Sequence, residues 1–477
     1  MTEDCDVCVI GAGPAGMAAA RVLHAHGLHT IVLEERPDPG GNIFSGALRG
    51  PLARGSGIGE DYRKGASMTQ AFARAQIDIR CASSVIRIDG NMITFGQGEA
   101  VTRLRARRIV LATGAMERPM PFAGWTRPGV MGAGAMQLLL KQSGLVPSGR
   151  YLLCGNGPLV LLLADQLMRL GAPPLAVLDT NPVRSPTRVA LSHLPALFGS
   201  WSQVRKGLGY MARLRHSGVP VIRNVTRIEA HGDGERLASV SYVTGTGVAG
   251  NLATDMLLCH EGVIPNSQLA MALGCQHRWN AAQSCTEAIT DEWGRTSRSH
   301  VFAVGDCAGV LGASAAPLTA ELAALKIAAD LGRTGADAVR PAVTRLQSAL
   351  ARERRFRGFL DAAYRPGIAR VTPIADETII CRCEQVTAES VRQAVRDGAI
   401  GPAQTKVFSR CGMGLCQGRT CGSLVNRIIS EETGIDNGTV GAFHIRFPLK
   451  PMSLSELATV PDAEPKETDR VEADNAA

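Results

Sequence analysis

The chain is 477 residues long, with a formal charge of +8, 53 glycines, 13 cysteines and 4% aromatic residues; the length accommodates two or three domains, and scattered cations with so few aromatics argue against a nucleic-acid partner. No apolar run reaches the ~20 residues of a membrane span, and the start (Glu3, Asp4, Asp6) lacks a basic region ahead of an apolar one, so the expectation is a cytoplasmic chain that is not transmembrane. In a reducing compartment this many cysteines point to metal or redox chemistry and away from a disulfide framework.

In chain order, a β-branched apolar strand at 7–10 runs into Gly11-x-Gly13-x-x-Gly16. An Ala-rich helix follows to about residue 26, then a strand at 30–33 ending at Glu34. This order gives the glycines their meaning. Gly11 makes the turn, Gly13 lets backbone approach a pyrophosphate at a helix N-terminus, and Gly16 lets helix pack on strand. Glu34 stands where a carboxylate accepts hydrogen bonds from an adenosine ribose. Three later stretches favour FAD over NAD. Arg36-Pro37-Asp38-Pro39-Gly40-Gly41-Asn42 would let the chain pass close to a flavin, and a strand at 108–111 ends in Ala112-Thr113-Gly114-Ala115. Val301-Phe302-Ala303-Val304-Gly305-Asp306 is a strand whose terminal carboxylate suits a ribityl chain, and small residues at 308–316 are expected to begin a helix facing the flavin.

These motifs resemble the two-dinucleotide-binding-domain flavoproteins, the superfamily of glutathione reductase. The resemblance implies FAD contacts at Gly11, Gly13, Gly16, Glu34, Gly41, Thr113, Gly114 and Asp306. No Cys-x4-Cys follows Gly41, so the redox disulfide of the reductase branch is absent and the flavin must exchange electrons with something else.

A second strand-to-glycine turn, Arg150-Tyr151-Leu152-Leu153-Cys154-Gly155-Asn156-Gly157-Pro158, leads into a helix at 164–170 and a strand at 175–178 ending at Asp179. It echoes the first fold, with Val160 in place of the third glycine, where a branched side chain is expected to hold helix and strand apart. Gly155 and Gly157 leave three readings open: a nicotinamide site, an adenine-nucleotide site, or a vestigial structural half. Residues 182–216 hold Arg184, Arg188, Arg205, Lys206, Arg213 and Arg215 and no acid, which reads as a solvated basic helix or as a docking face for an acidic partner. Short strands at 219–222, 239–243 and 256–258 are expected to complete this domain.

Helices are expected at 319–331 and 342–364, the second crowded with Arg352, Arg354, Arg355 and Arg357, which lie either beside the cysteines or in solvent. A short helix at 387–399 has Thr387 at its N-cap, and another at 423–433 stops at Gly434. Around them Cys381 and Cys383 form a Cys-x-Cys pair, Cys416 and Cys421 a Cys-x4-Cys pair, and Cys411 is a fifth thiol nearby. Such a set holds an iron–sulfur cluster or zinc, or consists of buried thiols; structural zinc prefers pairs two to four residues apart, which Cys-x-Cys fits poorly. The ten histidines are scattered, and no catalytic residue stands out.

The phrases Ala112-Thr113-Gly114-Ala115-Met116-Glu117-Arg118-Pro119, Pro121-Phe122-Ala123-Gly124-Trp125, Val304-Gly305-Asp306-Cys307-Ala308-Gly309 and Gly412-Met413-Gly414-Leu415-Cys416-Gln417-Gly418-Arg419 resemble the A (alpha) subunits of heteromeric opine oxidases. Relatives of that family include hydroxyproline and proline dehydrogenase alpha subunits and a hydrogen cyanide synthase subunit. The C-terminal piece also resembles the bacterioferritin-associated-ferredoxin type of [2Fe-2S] domain, which implies ligands at Cys381, Cys383, Cys416 and Cys421 and leaves Cys411 aside. The implied fold is α/β: two Rossmann-like domains of the glutathione reductase type (1–120 with 285–330, and 121–284), a helical neck (331–376), a small α-rich [2Fe-2S] domain (377–440) and an extension (441–477) disordered from about 461. The implied role is electron transfer from a smaller amino-acid-oxidase-like flavoprotein subunit to a quinone-linked or soluble acceptor, in a complex at most peripheral to a membrane. The competing readings are a self-sufficient NAD(P)H-dependent FAD oxidoreductase and a zinc-bound interaction module.

Overall fold

The computed structural model describes residues 2–52, 58–98, 100–182, 186–233, 236–368 and 372–460. The expected disordered tail from 461 and Arg184 lie outside the described residues. Glu3–Ile10 lies between Thr30–Leu33 and Ala100–Leu111, parallel to both, and Val301–Ala303 pairs in parallel with Ala100–Leu111. Asp78–Arg80, Met92–Gln97 and Ser83–Asp89 complete a seven-stranded sheet. Val7, Cys8 and Val9 are fully buried, the unbroken apolar run of a strand covered on both faces. The helices Pro14–Ala25 and Ala315–Asp330 pack together over this sheet through Ala15, Ala18, Ala19, Ala316, Ala320, Ala323 and Ala324. Small side chains let the two helices approach closely.

The helix expected from residue 308 does not begin there. Gly305–Cys307 makes a single 3₁₀ turn, and Asp306 Oδ1 accepts the N–H groups of Leu311 (3.0 Å) and Gly312 (2.9 Å), which holds this stretch as a loop until Ala315. The following helix is longer than expected, Ala336–Ala363, and runs through Pro341.

The second sheet is all parallel, in the order Val221–Ile222, Ala176–Asp179, Tyr151–Gly155, Met256–His260 and Val130–Gly132. Residues 239–243 do not join it. They belong to a separate antiparallel sheet of Val225–Asp233, Arg236–Thr244 and Ala249–Ala253. The basic stretch forms three helices, Pro186–Ser192, Leu194–Gly199 and Trp201–His216. Among the arginines of the long helix, Arg352 packs beside Gly199 of these helices, and Arg357 pairs with Asp361 one turn along its own helix.

The C-terminal module is a short hairpin (Ile379–Cys381 with Val386–Thr387) and the helices Ala388–Arg396, Pro402–Ser409 and Gly422–Thr433 around Ile380, Val391, Leu424, Val425 and Ile428. Thr387 caps its helix by accepting the Ser390 N–H, and Gly434 ends its own at φ 71°. Two helices, not one, separate the cysteine pairs, because Gly401-Pro402 restarts the chain at a new N-terminus.

A Cβ on Gly16 would collide with the Gly11 carbonyl, whereas one on the helical Gly207 would meet nothing. Gly16→Ala is therefore expected to destabilise the protein by about 1–3 kcal/mol through overpacking, and Gly207→Ala to stabilise it by about 0.5–1 kcal/mol through helix propensity. Urea unfolding midpoints check both.

Candidate cofactor sites

Sheet register brings the first set of motifs to one level. Ile10 pairs with Leu33 and Leu111, and Leu111 with Ala303. One residue beyond that row lie Gly11, Glu34, Ala112 and Val304, so the glycine turn, the acid, the Thr113–Gly114 turn and the Gly305–Asp306 turn gather at the carboxyl ends of the strands, where open α/β sheets bind ligands. Gly11 adopts φ +101°, and a Cβ there would stand 2.6 Å from the Ala112 oxygen. A Cβ on Gly41 would stand 2.9 Å from Gly13 Cα, and one on Gly305 2.9 Å from Ala15 Cβ. The turns are thus tied together through positions that exclude a side chain.

Glu34 is buried; its Oε2 accepts the Ala12 N–H (2.6 Å) and its Oε1 the Arg36 N–H (2.9 Å). Burial pushes its carboxyl up, and the two N–H groups oppose that. Thr113 Oγ1 donates to the Asn266 carbonyl (2.9 Å), and Asn266 N–H donates to the Gly114 carbonyl (3.0 Å). The arrangement fits FAD on two observations. The helix Pro14–Ala25 starts at Gly13 with no side-chain cap and no acid in its first turn, leaving its N–H groups for a pyrophosphate. Asp306 uses Oδ1 for the loop N–H groups, while Oδ2 takes no protein hydrogen bond among the described residues. Sequence reasoning missed Lys141. Buried at the back of the 40–43 loop, its Nζ donates to the carbonyls of Ile43 (2.9 Å) and Asn42 (3.4 Å) and to Gln137 Oε1 (3.0 Å). Burial, with Arg36 adding its charge, lowers its pKa from 10.5 to about 7.

The second turn is built similarly but is covered. Gly155 (φ +134°) would drive a Cβ into the His260 carbonyl, and Gly157 (φ +96°) faces open space. Val160 is buried in the core beside Leu163 and Leu258, filling the space the third glycine would leave. Asn156 Nδ2 donates to the Arg365 carbonyl (2.7 Å), Asn181 Nδ2 to the Ala363 carbonyl (2.8 Å), and Glu261 Oε1 accepts the Ile368 N–H (2.8 Å). Gly367 sits so close to the Thr180 carbonyl that no side chain fits. The end of the long helix and residues 364–368 therefore lie across the strand ends where a nucleotide would bind. Beneath them burial pushes the Asp179 carboxyl up, opposed by the Asn181 N–H.

The sulfurs of Cys381, Cys411 and Cys421 lie within 4.8 Å of one another. Cys381 ends its strand, Cys421 is the N-cap of Gly422–Thr433, and Cys411 follows the left-handed Arg410. Hydrogen bonds from Cys411 and Cys421 hold the Cys381 thiol far below its ordinary range, helped by the N–H groups of Gly412 and Glu384, and the Cys421 thiol is pushed up by the same partnership. Cys383 and Cys416 form a neighbouring pair: the Cys416 N–H donates to the Cys383 sulfur, and those of Thr420 and Gly418 to the Cys416 sulfur. The four expected ligands are thus divided between a buried triad and an outer pair, and Cys411 lies in the triad. Five thiols, three of them with backbone N–H groups aimed at sulfur, suit a metal or an anionic cluster. Phe443 is their platform: Cβ atoms on Gly412 (φ +85°) and Gly418 (φ +79°) would collide with its ring.

Gln268 joins the two sites. Its Nε2 donates to the carbonyls of Cys416 and Gln417 (both 3.3 Å), and its Oε1 accepts from Arg419 Nε (2.7 Å). It stands two residues beyond Asn266, the partner of the Thr113–Gly114 turn. A second tie is Trp125, whose Nε1 donates to the Ile379 carbonyl (2.7 Å) while Arg382 lies 5.4 Å over its ring. Nothing in the sequence pattern marks Gln268; the glycines at 412 and 418 do mark a close approach, though not its partner.

The fold and the glycine turn define an FAD-dependent oxidoreductase: the pyridine nucleotide-disulphide oxidoreductase model matches residues 5–328, and the sarcosine oxidase A3 domain model matches residues 375–460. The crystal structure of L-proline dehydrogenase from P. horikoshii has the same fold, with a TM-score of 0.66 at 19% identity over 96% of this chain and 80% of that one. The opine oxidase A subunit from Agrobacterium tumefaciens (strain Ach5) is 42% identical over 96% of this chain and 92% of its own length. Hydrogen cyanide synthase subunit HcnB from Pseudomonas aeruginosa is 32% identical over 94% and 97%. The chain belongs to the family of opine oxidase A subunits, and it forms part of a heteromeric FAD oxidoreductase. No helix among the described residues is long and apolar enough to cross a membrane.

Because the Lys141 pKa is lowered on folding from 10.5 to about 7, the unfolded chain binds more protons than the folded one between those values. Stability therefore rises with pH across that window. Lys141→Met is expected to lose this rise, so wild type and variant converge toward the alkaline end; urea unfolding at a series of pH values measures it.

Proposed function

We propose that the chain is the electron-transferring A (alpha) subunit of a cytoplasmic amine or imino-acid dehydrogenase complex of the opine oxidase or hydroxyproline dehydrogenase type. A smaller amino-acid-oxidase-like flavoprotein subunit oxidises the substrate, and this chain passes the electrons to a quinone-linked or soluble acceptor. FAD is held by Gly11, Gly13, Gly16, Glu34, Gly41, Thr113, Gly114 and Asp306, and a [2Fe-2S] cluster by Cys381, Cys383, Cys416 and Cys421, with Cys411 beside it. When bound, the flavin supplies two-electron uptake with single-electron release, which matches a cluster that carries one electron at a time.

The observation that carries this reading is the Gln268 bridge. It binds the turn bearing Cys416 to the segment that supports Thr113 and Gly114, so one rigid connection serves both sites. The N–H groups donating to Cys381 and Cys416 favour thiolates at those two positions. A self-sufficient NAD(P)H-dependent oxidoreductase is disfavoured, because Asn156, Asn181 and Glu261 at the strand ends of the second sheet bond residues 363–368, and an adenine nucleotide there would need that segment to lift.

Cys416→Ser is expected to keep FAD, lose iron and abolish electron transfer through the complex, while Cys411→Ser keeps both iron and transfer; metal and acid-labile sulfide analysis with flavin absorbance reads the first part. Gln268→Ala is expected to keep both cofactors and slow transfer at least about tenfold, since small misplacements weaken coupling between sites. Full transfer in Cys416→Ser would make the thiol site structural.

A further inference from the structure

The helices Pro186–Ser192, Leu194–Gly199 and Trp201–His216 carry an outward face that the relay does not use. Leu191 (67% exposed), Leu194, Phe198 (73%), Trp201 (58%) and Leu208 all stand in solvent. Leu194 and Phe198 are one turn apart on the same face. Trp201, Leu208 and Arg215 recur every seventh residue along the next helix, with Arg205 and Ala212 filling the same stripe. Exposed apolar groups of this size on adjoining helices mark a contact surface.

The unpaired charge around them is positive. Residues 186–216 contain no Asp or Glu. Arg188, Arg205 and Arg215 are exposed and form no ion pair among the described residues, and Arg352 of the long helix lies beside Gly199. The carboxylates that reach this layer are engaged: Asp61 by Lys206 (2.6 Å), Asp165 by Arg169 (2.9 Å) and Arg213, and Glu353 by Gln203 (3.1 Å). The apolar side chains stand out from short helices instead of lining a groove, so a protein partner would need a matching hollow for each of them. A fluid headgroup layer takes protruding Trp, Phe and Leu without shape matching, and anionic headgroups complement the arginines.

We propose that this three-helix layer is an interfacial membrane anchor, with Leu191, Leu194, Phe198 and Trp201 entering the headgroup–acyl boundary of an anionic leaflet and Arg188, Arg205, Arg215 and Arg352 lying on its headgroups. The proposal is independent of the electron-relay reading. It is tested by co-sedimentation of the full chain, purified with its cofactors, with vesicles of phosphatidylcholine alone or mixed with phosphatidylglycerol. The chain is expected to bind the mixed vesicles at least about tenfold more tightly, with binding weakened by salt. F198E/W201E is expected to bind them at least about tenfold more weakly while keeping its flavin absorbance and unfolding midpoint. Should that variant misfold, R188Q/R205Q/R215Q reads the same property, as weaker binding to the mixed vesicles with unchanged binding to phosphatidylcholine. Wild-type chain that ignores mixed vesicles, or F198E/W201E and R188Q/R205Q/R215Q variants that bind them as well as wild type does, overturns the proposal. So does a result in which F198E/W201E leaves vesicle binding intact and instead breaks association with a second subunit, which would make the face a subunit interface.

Discussion

The pairing of Ile10 with Leu33 and Leu111, and of Leu111 with Ala303, is the constraint on which the cofactor geometry depends. Four segments distant in sequence end their strands at one level, so their turns meet without any side chain having to reach for them. The contacts made there are mostly backbone against backbone. Gly11 lies on Ala112, Gly16 on Gly11, Gly41 on Gly13 and Gly305 on Ala15. A one-residue slip of any of these strands would put its turn out of step and turn its side chains to the opposite face of the sheet.

The same economy appears in the second half with a different outcome. Its glycine turn also sits at the carboxyl ends of parallel strands, yet the polar groups a nucleotide would use are met by the chain itself: Asn156, Asn181 and Glu261 all bond residues 363–368. The long helix Ala336–Ala363 thus runs from the first sheet's helix layer to the mouth of the second turn before the chain enters the cysteine module. Gln268 and Trp125 then fasten that module back onto the body. The tightest of its thiols, Cys381, Cys411 and Cys421, are buried, whereas Cys383 is exposed, so the site presents one edge outward.

Legibility in the sequence tracks the range of the forces involved. The strand–glycine–helix order, the Thr387 cap and the Gly434 stop are set by neighbours within a turn or two, and the structure has them where local rules put them. The helix expected at 308 failed because the Asp306 carboxylate, hydrogen-bonding to N–H groups five and six residues on, outcompetes helix formation there. Residues 239–243 read correctly as a strand but went to the wrong sheet, since alternation reveals a half-buried strand and not its partner. The meeting of Cys411 with Cys381 and Cys421, the Phe443 platform, the buried Lys141 and the Gln268 bridge depend on contacts made only after the chain has folded, and no spacing rule encodes them. The exposed Leu191, Phe198 and Trp201 were hidden for the converse reason: an apolar residue in a helix is expected to face a core until the core is seen elsewhere.

If a flavin and an iron–sulfur cluster share electrons within this one chain, a single reductive titration must fill both. Stepwise anaerobic titration of the purified chain with dithionite, followed by visible absorption and electron paramagnetic resonance, tests it most directly. Uptake of about three electrons per chain is expected, two by the flavin and one by the cluster, with a [2Fe-2S] resonance appearing as the flavin bleaches. Uptake of only about two electrons per chain, with flavin bleaching and no paramagnetic iron, would contradict it.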